Sequence, residues 1–256
     1  MNKLVAAAMV ALAASSTWAI QGTIKCEKGQ WSGDITWMAS KKTYLVAYKK
    51  GKTDVSAECP LADVESLEIP KPAGFDKAVE MVRRGQGSAA IGTLAKIVND
   101  YKMLSWDKPA GRYLVEAYLA ANNPQKAFDT AQGIIKGDSD AAWTGDLAPA
   151  YWQTLLKLGQ NQRLENCLRK ATSSGDRPTS AEALLMRGDM ILAAGGDLPD
   201  TYRKALVDAY LRVVLMYPDE NCKAVRADAM QKAAGCFDKI GMASRAEQMR
   251  SQAKAL

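Results

Sequence analysis

No histidine occurs anywhere in the 256 residues. Its absence removes the commonest general base, the Ser–His and Cys–His nucleophile pairs and the usual imidazole ligands of zinc. No GxSxG elbow or phosphate-loop pattern is present, and no two cysteines stand at a close metal-binding spacing. The carboxylates are spread over what read as solvated helix faces, with no pair set apart for acid–base work. After the first residues, no apolar run approaches the roughly 20 positions that a membrane span needs. These absences lead to the expectation of a protein that is not an enzyme, carries no cofactor and binds no metal.

The first stretch, MNKLVAAAMVALAASSTWA, has a charged start at Lys3, an apolar run from Leu4 to Ala14, and small residues Thr17 and Ala19 on either side of Trp18. That layout predicts a cleavable secretory leader over residues 1–19 and an exported chain, periplasmic or secreted. Five cysteines remain, at 26, 59, 167, 222 and 236. In an oxidising compartment the odd count leaves at least one thiol unpaired. Cys26 and Cys59 share the N-terminal region and are the candidate disulfide. Cys222 and Cys236 lie about 21 Å apart if on one helix, too far to bridge. The last three therefore read as small apolar core residues.

The formal charge of +6 is unevenly spread. Residues 20–70 balance seven lysines against seven acids, whereas Lys223, Arg226, Lys232, Lys239, Arg245, Arg250 and Lys254 face three acids at the C-terminal end. A solvated polar face on a terminal repeat is the favoured reading of that end, and an anionic surface its alternative partner.

From Ile20 to Ile69 the pattern has the period of strands: IQGTIKC, QWSGDITWM, TYLVAYK, TDVSAEC and VESLEI, separated by lysine, glycine and proline. Five short strands fit a small closed barrel over 20–70. With a glycine in each of the first two strands and the closing ADVESLEI, the layout resembles SH3-like or Sm-like barrels. Some such barrels bind RNA, and Lys41, Lys42, Lys49, Lys50 and Lys52 cluster with Tyr44 and Tyr48. The region is electrically balanced, so a lysine-guarded sheet edge is favoured and no nucleic acid is expected. Pro70 and Pro72 mark the boundary.

Residues 71–256 read as helix and turn. Helices are predicted at 73–83, 88–102, 108–121, 124–136, 147–158, 161–173, 180–194, 199–216, 220–240 and 243–255, which makes five hairpins. Gly111–Ile135 is the clearest. Leu114, Ala117, Tyr118 and Ala121 form one helical stripe, Ala127, Ala131 and Ile134 a second, and Asn123-Pro124 between them is a strong helix start. Thr179 with Glu182 reads as a capping box opening the seventh helix.

These hairpins resemble tetratricopeptide repeats, whose unit is about 34 residues with small residues at the helix crossings. Leu114, Tyr118 and Ala127 match in the second hairpin; Gly188, Tyr210 and Pro218 in the fourth; Ala234, Phe237, Gly241 and Ala246 in the last. Val115 and Trp152 depart from the pattern, standing where a small residue is expected. The resemblance implies a right-handed solenoid whose first helices line a concave face, placing Arg112, Glu116, Gln153, Lys157, Asp189 and Gln231 there. It implies a non-enzymatic scaffold or adaptor that takes protein or peptide partners in the cell envelope. The alternative is a binder of an anionic envelope polymer or membrane surface. Two motifs read as decoys. GQGSAAIG at Gly85–Gly92 follows a helix rather than a strand, and Arg187-Gly188-Asp189 lies inside an amphipathic helix.

Overall fold

The computed structural model describes residues 19–256, so the leader expected over 1–19 falls outside the described residues except for Ala19. Within them the chain separates into two compact units. One takes 19–71 together with Asn99–Trp106; the other takes Pro72–Val98 and Asp107–Leu256.

In the first unit β1 (Ile20–Cys26), β2 (Gly29–Met38), β3 (Thr43–Lys50), β4 (Thr53–Pro60) and β5 (Val64–Glu68) form one antiparallel sheet in the order β4-β3-β2-β1-β5. Alternation decides its inner face: Ile24 and Cys26 of β1, Ile35 of β2 and Tyr44 and Val46 of β3 are all buried. Gly22 and Gly33 are cross-strand partners. A Cβ on Gly22 would lie 2.8 Å from the Glu68 carbonyl oxygen, and one on Gly33 would collide with the backbone of Ala47. Both strands can therefore be crowded by their neighbours only because they carry glycine there.

Cys26 and Cys59 are disulfide-bonded with their Cα atoms 6.4 Å apart. They belong to β1 and β4, three places apart in the sheet, which in a flat sheet is about 14 Å. The sheet is thus strongly rolled. The closed barrel expected from sequence is corrected, however: among the described residues β5 is paired only with β1, and no ladder joins it to β4. With β5 only five residues long, the roll is held by the disulfide and by the shared core. That core includes Leu104 and the partly buried Tyr101 and Trp106 of the Asn99–Trp106 segment. Trp106 donates its indole N–H to the Ile69 carbonyl at 2.9 Å, and Tyr44 donates its hydroxyl to the Met103 carbonyl at 2.7 Å. Tyr44 is consequently 3% exposed and unable to stack on a base, and Lys41 is paired with Glu58 at 2.9 Å.

The second unit contains α1 (Phe75–Arg83), α2 (Gly87–Asp100), α3 (Asp107–Ala120), α4 (Pro124–Ile135), α5 (Leu147–Lys157), α6 (Asn161–Thr172), α7 (Arg177–Gly195), α8 (Pro199–Ala205), α9 (Leu211–Met216), α10 (Lys223–Lys239) and α11 (Ala243–Lys254). A π turn over Leu206–Tyr210 runs α8 into α9 as one rod. Start and stop chemistry is local. Asn123 accepts from the Lys126 N–H at 3.2 Å with Pro124 as first helical residue, and Gly85, Gly159 and Gly241 all take positive φ just past a helix end. The seventh helix begins three residues earlier than expected. Asp176, not Thr179, is its cap, accepting from the Thr179 N–H at 2.9 Å, so Glu182 is released from the capping role assigned to it.

Each hairpin leans on its sequence neighbours. α3 packs on α4 and on α5; α5 on α6 and α7; α7 on the α8–α9 rod and α10; α10 on α11. This is the scheme the tetratricopeptide resemblance implies, in which no hairpin buries its apolar stripe alone. Leu114, Ala127, Tyr210, Ala234, Phe237 and Ala246 are buried, and Tyr118 is partly so. Pro218 is exposed, and Gly241 serves as a positive-φ stop. Trp152 is accommodated despite its size because its indole N–H is donated at 2.9 Å to the Ala142 carbonyl in the 3-10 turn Ser139–Ala142. Terminal α11 buries only Ala246 among its residues, as a capping helix should.

Gly188 lies under the Tyr210 ring: a Cβ there would sit 2.5 Å from Tyr210 Cζ. The Arg187-Gly188-Asp189 tripeptide is thus part of a helix crossing. Gly188→Ala is expected to destabilise the helical unit by roughly 1–3 kcal/mol through overpacking, read as a lowered urea midpoint with unchanged m-value.

Candidate functional site

The polar residues of the first helices can be followed from α3 to α10. On α3, Arg112 donates from Nε to Glu116 at 2.9 Å while its guanidinium lies 5.5 Å from the Tyr113 ring centroid. Arg83 lies 5.9 Å from the same ring centroid and donates to the Tyr113 hydroxyl at 3.3 Å. Arg112 also lies within electrostatic reach of Glu182 on α7. These two side chains belong to helices that both pack on α5.

Glu182 is partly buried on α7. Burial pushes its carboxyl above the usual glutamate range; Arg112 pulls against that, and Asp146 and Asp176 add to it. Between Arg112 and Glu182, α5 presents Gln153 and Lys157, both exposed. Further along, Asp189 is fully engaged. It accepts from the Tyr210 hydroxyl at 2.7 Å and from Lys232 Nζ at 2.9 and 3.0 Å, tying α7 to the π turn and to α10. The Tyr210 hydroxyl, buried beside that carboxylate, is held far above its ordinary pKa. Gln231 is exposed on α10.

Of the six residues predicted for the concave face, then, Arg112 and Glu116 are brought together, Gln153, Lys157 and Gln231 are open to solvent, and Asp189 is a packing link. Asp146, Glu182 and Asp228 are further acids at or near the starts of α5, α7 and α10 that the sequence reading does not single out for this face. Their signal was a spacing: each lies six residues before a crossing position, at Trp152, Gly188 and Ala234 (152 − 146, 188 − 182 and 234 − 228). Along the row five acids (Glu116, Asp146, Glu182, Asp189, Asp228) stand against three bases (Arg112, Lys157, Lys232), in a chain whose formal charge is +6.

No protein-family model matches the chain, and no curated protein matches it. Among solved structures it is similar to the tetratricopeptide-like repeats of a putative kinesin light chain from Podosopora anserina, at 15% identity over 72% of this chain and 92% of that one, with a TM-score of 0.48. It is also similar to MamA of MSR-1, at 14% identity over 70% of this chain and 92% of that one, with a TM-score of 0.41.

The basic C-terminal end is largely neutralised from within. Lys223 pairs with Glu220, Lys232 with Asp189, Lys239 with Asp197 and Arg250 with Asp238. Three of those acids, Asp189, Asp197 and Glu220, come from outside the α10–α11 hairpin. The free thiols Cys167, Cys222 and Cys236 are buried, and burial pushes Cys236 up to about 11. A cleft of about 640 Å³ between α6, α7 and α8 is lined by Met190, Ile191, Ala194, Gln162, Glu165 and Lys204, none of them a predicted site residue. No helix among the described residues is long and apolar enough to cross a membrane.

The Glu182 environment generates a signed expectation. A carboxyl whose folded pKa is raised costs stability above that pKa and nothing below its unfolded value. Glu182→Gln should therefore raise the melting temperature at neutral pH, with the gain fading as the pH is lowered toward about 4.3. Thermal melts across that range read it directly.

Proposed function

We propose that this chain is an exported, non-enzymatic scaffold: a tetratricopeptide-like solenoid, preceded by an SH3-like sheet unit, that holds a protein or peptide partner along the polar sides of α3, α5, α7 and α10. The observation that supports this reading is the successive packing of the first helices, α3 on α5, α5 on α7 and α7 on α10, which lays them side by side. A shared face built from several helices offers one extended partner many small anchors instead of one deep pocket.

Charge along the row favours a particular chemistry. Glu182 and Asp146 have no ion pair among the described residues, while the bases present are engaged with Glu116 or Asp189, except Lys157. A segment carrying lysine or arginine answers that imbalance, gaining most where Glu182 is partly desolvated. Export is supported by the Lys3-to-Ala19 leader pattern and by the Cys26–Cys59 disulfide, a bond that persists in oxidising compartments.

A photo-crosslinking residue placed at Gln153 in the full chain, expressed in its native cells, tests this reading. The expected result is a discrete crosslinked protein in the envelope fraction whose yield falls at least severalfold with Glu182→Lys and survives moderate salt. Crosslinks to polymer or lipid alone, or a yield indifferent to Glu182→Lys, would sink it.

A further inference from the structure

The cleft of about 640 Å³ lies where the start of α6 (161–165), the last turns of α7 (190–195) and the start of α8 (200–204) come together. That volume is within the roughly 300–1,000 Å³ of small-molecule sites. From α7 it takes Met190 and Ile191, both half-buried, and the exposed Ala194. A methionine thioether with three rotatable bonds adapts its shape to a flexible apolar guest, which a rigid wall would not do. The end of the cleft at Gly195 and Thr201 is fixed. Thr201 donates its hydroxyl to the Gly195 carbonyl at 2.9 Å, and a Cβ on Gly195 would lie 2.5 Å from Thr201 Cγ2. α7 and α8 are thus locked together beside a cavity that is already formed, so a ligand need not order them.

Charge selects the guest. Three charged residues line the cleft: Glu165, Asp200 and Lys204. Glu165 is paired with Arg187 and Asp200 with Arg203, each at 2.8 Å, so both carboxylates are already answered. Lys204 has no ion pair among the described residues, and the side-chain amides of Asn161 and Gln162 make no hydrogen bond among them. The lining therefore holds one unanswered positive charge and two amide groups beside an apolar surface. A single ammonium matches a single negative charge, whereas a phosphate group would be better met by the fork of an arginine or by several cations. No aromatic side chain lines the cleft, so a base or a sugar ring finds nothing to stack on. A monoanion with a flexible hydrocarbon tail satisfies both halves of the lining.

We infer that the α6–α7–α8 cleft is a binding site for a medium-chain carboxylate, with the alkyl chain on Met190, Ile191 and Ala194 and the carboxylate at Lys204. None of the cleft's lining residues belongs to the row of polar residues on α3, α5, α7 and α10. The site therefore stands or falls independently of the protein partner proposed for that row.

Isothermal titration calorimetry of the full chain with octanoate, decanoate and dodecanoate, each below its micelle concentration, tests the assignment. The expected result is saturable one-to-one binding that tightens roughly two- to fourfold with each added methylene. Decyltrimethylammonium, which carries the same tail as decanoate on a positive head, should bind roughly tenfold more weakly or worse. Ala194→Phe, a filling substitution at an exposed position, should weaken decanoate binding roughly tenfold or more while leaving circular dichroism and melting temperature unchanged. Lys204→Glu should reverse the preference between decanoate and decyltrimethylammonium. Absence of saturable binding for all three acids would overturn the inference. Binding indifferent to Ala194→Phe would do the same, as would equal affinity of the unsubstituted chain for the two head groups.

Discussion

Two helices can cross at close range only if one of them carries almost nothing at the crossing point, and the helical unit depends on meeting that condition repeatedly. Gly188 under Tyr210 is the clearest case, because the ring occupies the space a Cβ would need. Gly111 under the Ile134 side chain repeats it between α3 and α4, and Gly87 against Ala117 repeats it between α2 and α3. Close approach at these points lets short helices bury enough apolar surface against their neighbours to be stable, although none would be stable alone. Where the condition is not met, as at Trp152, the connecting chain folds into a 3-10 turn that receives the indole N–H.

From that packing follows the polar arrangement. A first helix that turns its apolar stripe to its own partner and to the next hairpin has one side left over, and stacking aligns those sides. Asp189 shows how closely the two roles adjoin. It lies next to a crossing glycine, and its carboxylate is spent joining Tyr210 and Lys232 across three elements. Glu182, two turns earlier on the same helix, has no such pair and remains partly desolvated beside Arg112.

Much of this was legible in the residues. Asn123-Pro124, the positive-φ glycines and the apolar stripes located most helices to within a few positions, since these signals act over a single turn. Cys26 and Cys59 could be picked as partners from their shared region, but the roll of the sheet could not be read, because it depends on strand order and on which strands lack a ladder. The place of Tyr101, Leu104 and Trp106 in the sheet unit's core was also hidden: they lie between two helices in sequence, and nothing local marks them for a strand core. Thr179-x-x-Glu182 is a good capping box in sequence, yet Asp176 stands at a better place, ahead of Pro178. The six-residue interval from acid to crossing was present in the sequence, but it gains meaning only when the crossings are known.

The central claim is that the first helices share one face, and the electrostatic coupling of Arg112 with Glu182 tests it most directly. A double-mutant cycle of Arg112→Gln and Glu182→Gln, followed by urea unfolding at neutral pH and low salt, isolates their interaction from the separate Arg112–Glu116 pair. A favourable coupling above about 0.5 kcal/mol that shrinks as salt is added is the predicted result. Strict additivity of the two substitutions would contradict the account, since it would mean that Arg112 and Glu182 do not sense one another across α5.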